Sequence, residues 1–263
     1  MTEERMMNES TPNGTKANPW EWMLGIVTDP KGTFQAIEAN LRRPHPTNPE
    51  KTVDRTRWWI PVVIAAVVGA VVAVYTVPNI VMPMQEEAIR ESVMERGGTM
   101  EQAEQAIEMS SSIGVPAGIV GAAIQVFVLL FVFAGVLHLL VKMLGGKGGF
   151  RGARAIVAFS MVISGIIAPL VKLPIMVTRK TMFVEIGPTV LPFFRDLEPS
   201  DRLYKFLFSG FDVFTIWWFV VVGVGLAVCY RVKAGKAATV AIILWALTTA
   251  LFTFMNFGGA YGG

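Results

Sequence analysis

Five apolar blocks, each about as long as a bilayer is thick, leave this chain few folds to choose from. They cover residues 58–82, 116–141, 155–177, 211–230 and 237–257. A helix needs about 20 mostly apolar residues to cross a hydrocarbon core of about 30 Å. Inside lipid every backbone N–H and C=O must find its partner within the segment, which leaves helices as the spanning element. The expected fold is therefore all-α, a polytopic membrane protein with five transmembrane helices. The third helix carries Pro169, Lys172 and Pro174 near its end, where interruption is expected. The first block begins too late and runs too long for a cleavable signal peptide.

Charge is scarce, 16% of residues, and it crowds between the blocks. Lys51, Arg55 and Arg57 precede the first. Lys142, Lys147, Arg151 and Arg154 separate the second from the third. Arg231, Lys233 and Lys236 separate the fourth from the fifth, and neither of these two connections holds an acid. Cations near helix ends mark the cytoplasmic side. These connections alternate, so the expected topology is N-terminus inside and C-terminus outside. The connection 83–115 has seven acids against Arg90 and Arg96, which suits the outer side. The connection 178–210 carries five cations and dissents, but parity leaves it outside.

The expected organisation has a disordered N-terminus at 1–17, an amphipathic cytoplasmic segment at 18–57, a membrane domain at 58–257 and a short tail at 258–263. In the second part, Trp20 and Trp22 are followed by Phe34, Ile37 and Leu41 at helical spacing, with Asp29 or Thr33 as cap. Two readings fit: short helices lying on the membrane surface, or helices packed under the bundle. The acidic connection reads as two helices broken at Gly97 and Gly98. Thr99 and Gln102 form a capping box for the second, and the hairpin closes on itself.

The stretch GGKGGFRGAR, residues 145–154, invites comparison with a phosphate-binding loop. Such a loop needs Ser or Thr after its Lys, and a strand before it. Gly148 follows Lys147, and apolar helices flank the segment. The glycines read as a sharp turn, and the cations as its cytoplasmic anchor, with Lys147, Arg151 and Arg154 as candidate lipid-headgroup contacts. A net charge of +3 without a basic tract argues against nucleic-acid binding. One cysteine, Cys229, and two histidines leave no metal-ligand set. No cofactor is expected.

Polar residues within spans are the default functional candidates, because they are costly there. Four stand out: His138, Gln125, Lys172 and Asp212. For His138 a hydrogen-bonded packing role is favoured over proton transfer. Gln125 reads as joining helices by hydrogen bonding. Lys172 and Asp212 both fall near the outer side, and either pair or meet water separately.

The order of LLVKMLGGKGGFRGARAIVAFS, of FDVFTIWWFVVVGVGLAVCYRVKAGKAATVAIILW and of DPKGTFQAI resembles the Yip1 domain family over roughly residues 20–257. The resemblance implies five spans with a cytoplasmic N-terminus. Eukaryotic members are trafficking proteins that associate with small GTPases. Their DLYGP signature is missing here, where the chain reads RTRWWIPVVIA, so GTPase binding is not carried over. The resemblance fits a bacterial inner-membrane member. The expected function is a non-enzymatic scaffold for membrane organisation or a trafficking-like process. Its expected partners are the lipid bilayer and membrane proteins or further copies of itself. The alternative is a small transporter or channel component for ions, lipids or amphiphiles. An intramembrane enzyme would need paired acids, a Ser–His pair or a ligand cluster, which the spans lack.

Overall fold

The computed structural model describes residues 18–45, 48–181, 184, 186–194, 197 and 201–254. The segments expected to be a disordered N-terminus and a short tail lie outside them. Two short helices, α1 (Pro19–Thr28) and α2 (Pro30–Leu41), open the fold. Both start the same way, with a capping side chain and then proline. Asn18 Oδ1 accepts from Trp20 N–H, and Asp29 Oδ1 accepts from Gly32 N–H. Proline suits that first position, since its missing N–H would have had no helical partner. A two-stranded antiparallel ribbon follows, β1 (Arg43–His45) with β2 (Asn48–Val53), paired Arg43 to Val53. It is a local addition to a fold that is otherwise all-α.

Among the described residues the membrane part contains four helices long and apolar enough to span, or five when one bent pair is counted as a span. The first span begins as α3 (Trp59–Thr76) and continues without a break into α4 (Met82–Glu95). After the turn at Gly97 and Gly98, α5 (Met100–Met143) returns as one helix of 44 residues. At a rise of 1.5 Å per residue, α5 is about 66 Å long, twice the hydrocarbon thickness. The acidic hairpin is therefore an extension of the first two spans. Its cap is the expected one: Thr99 Oγ1 accepts from Gln102 N–H and the Gln102 amide accepts from Thr99 N–H.

The third span runs Phe150–Arg179 as α6 (Phe150–Met161) and α7 (Ala168–Arg179). The expected interruption by proline does not occur. A wide π turn at Val162–Ile167 stands in front of Pro169, and a second, Val77–Val81, stands in front of Pro83. Proline clashes with the carbonyl four residues before it. Moving the bond to i→i+5 makes room for the ring, and the helix passes through. The bent pair is α8 (Arg202–Gly210) and α9 (Val213–Cys229), set at 51°. The last span is α10 (Ala234–Phe254).

Helix α6 is the hub. From Ala155 to Met161 every residue is buried. Its small side chains let α5 and α9 approach, and Phe159 takes the edge of Trp22 at 5.7 Å. Trp22, Ile26, Phe34, Ile37 and Leu41 all lie in the same core as the spans. Of the two readings of the N-terminal helices, the packed one describes their inner face. Trp20 and Leu24 remain exposed on the outer face of α1.

Candidate functional site

Polar side chains concentrate at the two ends of the bundle. One end is basic: it carries the turn 144–149, the turn 230–233 and the ribbon. The other carries the acidic hairpin, α8 and the far end of α10.

At the basic end the glycine-rich turn is a clasp around Tyr230. Helix α5 ends with Gly145 at φ +83°. Gly145 N–H donates to Lys142 C=O and Gly146 N–H to Val141 C=O, the paired bonds of a Schellman ending. Lys147 N–H then donates to the Tyr230 carbonyl at 3.2 Å. A Cβ on Gly148 would stand 2.6 Å from Tyr230 Cδ1 and 2.9 Å from the Cys229 carbonyl oxygen, so only glycine fits there without movement. Tyr230 is fully buried. Its hydroxyl donates to the Gly149 carbonyl at 3.1 Å and lies 2.6 Å from His138 Nδ1. With the hydroxyl proton committed to Gly149, the tautomer that satisfies both contacts carries its proton on Nδ1 and donates to Tyr230. Three connected elements meet at one phenol: α5, the turn and α9. Sequence reasoning missed Tyr230, which looked like the last residue of an apolar block.

Beside the clasp, Arg154 Nη2 donates to Asp54 Oδ2 at 2.7 Å. Its guanidinium lies over the Trp58 ring, 4.3 Å from the centroid. Asp54 Oδ1 accepts from both the N–H and the hydroxyl of Thr56. Arg154 thus joins α6 to the start of α3. Its charge is committed inside the chain, so of the three candidate headgroup contacts Lys147 and Arg151 are the exposed ones. Arg151 also donates to the Thr52 carbonyl at 3.2 Å.

At the other end, Lys172 Nζ approaches Asp212 Oδ2 to 2.8 Å. The contact is an ion pair whose angle falls outside hydrogen-bond geometry. Asp212 Oδ1 meanwhile accepts from the Phe214 and Thr215 N–H groups and caps α9. One carboxylate therefore starts the fourth span and ties it to the third. Nearby, Trp245 Nε1 donates to the Gly210 carbonyl at 2.7 Å, holding α10 to α8.

The two ion pairs also set a length. Arg154 and Lys172 lie eighteen residues apart on one helical run. That is about 27 Å at 1.5 Å per residue, close to the thickness of a hydrocarbon core. Both pairs lie toward the ends of the third span, and neither lies in its middle.

Gln125 departs from its expected role. It is exposed on α5 and makes no hydrogen bond within the described chain. The inner face of α5 is occupied by Leu130, Ala134, Leu137 and Val141, and Gln125 is not on it. Among the described residues no three His, Cys, Asp or Glu side chains are grouped to hold a metal ion.

The fold and these ties define a polytopic α-helical membrane protein whose spans are fastened at both apolar boundaries. The Yip1 domain model matches residues 24–255. The chain belongs to the Yip1 domain family. No curated protein and no solved structure matches it.

Proposed function

We propose that this protein is a non-enzymatic membrane scaffold of the Yip1 type, set in a bacterial inner membrane with its basic end in the cytoplasm and its acidic hairpin outside. It acts through protein partners. One observation carries the reading: three pairs of ionic or titratable groups near the spans are committed to one another. Lys172 pairs with Asp212, Arg154 with Asp54, and His138 with Tyr230. Groups used this way fasten helices and are withdrawn from binding or moving a substrate. What projects from such a bundle is a pair of helices far longer than a membrane needs, which offers surface to partners. The GTPase partners of eukaryotic relatives are no part of this proposal. Cross-linking in membranes, purification in mild detergent and mass spectrometry test it. Reproducible enrichment of one or a few membrane proteins is expected. No enriched partner, together with solute flux through proteoliposomes holding the pure protein, would replace the scaffold with a transporter.

A further inference from the structure

We infer that α5 carries a self-association site centred on Gln125, and that its occupant is the same helix of a second copy of this chain. The first observation is depth. The His138 ring lies 5.9 Å from that of Phe150, so the end of α5 is level with the start of α6. The two helices run antiparallel, and Arg154 is then level with about residue 134 of α5. The same length of about 27 Å counted back along α5 reaches about residue 116, and Gln125 falls midway. A primary amide at that depth, exposed and without a partner among the described residues, turns toward the lipid tails of a bilayer. Lipid tails offer no hydrogen bonds, and an unsatisfied amide there is costly.

The second observation is shape. Ala117 and Gly121 lie eight and four residues before Gln125, and both are exposed. Nothing stands within 4 Å of where a Gly121 Cβ would be. Small residues at four-residue spacing let two helix backbones come close in a membrane, which brings a short polar side chain within reach of its counterpart. The choice of a second copy follows from the chemistry of the amide. Its carbonyl accepts and its NH₂ donates, so across a two-fold axis one Gln125 satisfies the other. Two-fold contacts between identical patches are the commonest form of assembly. A lipid tail would leave both groups unpaired.

The test uses the full chain with Cys229→Ala, reconstituted in phosphatidylcholine vesicles. Association is followed by energy transfer between labelled copies as the lipid-to-protein ratio is raised. A dimer is expected, with its association constant lowered about tenfold by Gln125→Leu, the scale of an interhelical amide contact in lipid. Gln125→Asn should retain most of it. Val128→Cys, on the same exposed face, should give an oxidised dimer on a gel, whereas Val67→Cys on the exposed face of α3 should not. The thermal midpoint of detergent-dispersed monomer should be unchanged by Gln125→Leu. A wild-type chain that stays monomeric, or a dimer indifferent to Gln125→Leu, would overturn the inference. A large loss of monomer stability would do so as well, by showing that the amide works within the chain.

Discussion

The two ends of the bundle are held together differently. At the basic end, connections of a few residues fold around a buried aromatic ring, and steric fit and three hydrogen bonds act on the same residue. At the hairpin end, long excursions leave the bundle, and among the contacts that join the spans there are an ion pair and an indole bond. A short turn can be locked by shape, since little chain is free to move. Each end has an ion pair, Arg154 with Asp54 and Lys172 with Asp212, but only the basic end adds a steric clasp to it. Removing a contact should therefore cost most at the basic end.

Tyr230→Ala should be the most damaging single change. It empties a fully buried aromatic site and orphans His138, with an expected loss of about 3–5 kcal/mol in denaturant unfolding of the detergent-solubilised protein. Gly148→Ala comes next. The new methyl meets a ring carbon and a backbone oxygen, and overpacking of that kind costs about 1–3 kcal/mol. A Gly148→Ala protein of normal stability would show that the turn does not clasp the ring.

The ion pair at the other end should matter less. Lys172→Met and Asp212→Asn are each expected to destabilise, and Asn keeps the helix cap while removing the charge. The double change should cost less than the sum of the singles, by about 1 kcal/mol. Strict additivity would show that the two residues act separately. The smallest effect is reserved for Tyr230→Phe, which keeps the ring and removes the hydroxyl. A loss of about 1 kcal/mol is expected, since the Gly149 carbonyl and His138 then lose a shared partner. If Tyr230→Phe cost as much as Tyr230→Ala, the clasp would be a hydrogen-bond network and not a steric fit.

Much of this plan was legible in the chain. Block length announced four spans and the bent pair that makes a fifth, Thr99 and Gln102 announced the hairpin helix, and Lys172 and Asp212 were near enough in depth to pair. The missed features share a cause. In a segment apolar all round, such as α5, the pattern does not say which face turns inward, so Gln125 was placed between helices of its own chain. Tyr230 and Arg154 were unreadable for a different reason. Their partners, Gly149 with His138 and Asp54 with Trp58, lie 81–100 residues away, and no local spacing reports such contacts. Pro169 of the third span misled because a π turn, invisible in composition, stands in front of it, while Pro174 sits inside α7 without ending it.

The orientation of the two ends can be read directly, because Cys229 is buried and is the single cysteine of the chain. In a Cys229→Ala background, Lys147→Cys and Glu101→Cys are exposed to a membrane-impermeant maleimide applied to intact cells. Labelling of the Glu101→Cys protein at once, and of the Lys147→Cys protein only after the membrane is opened, is the predicted result. Labelling of the Lys147→Cys protein from outside would invert the topology and remove the proposed cytoplasmic placement of the clasp.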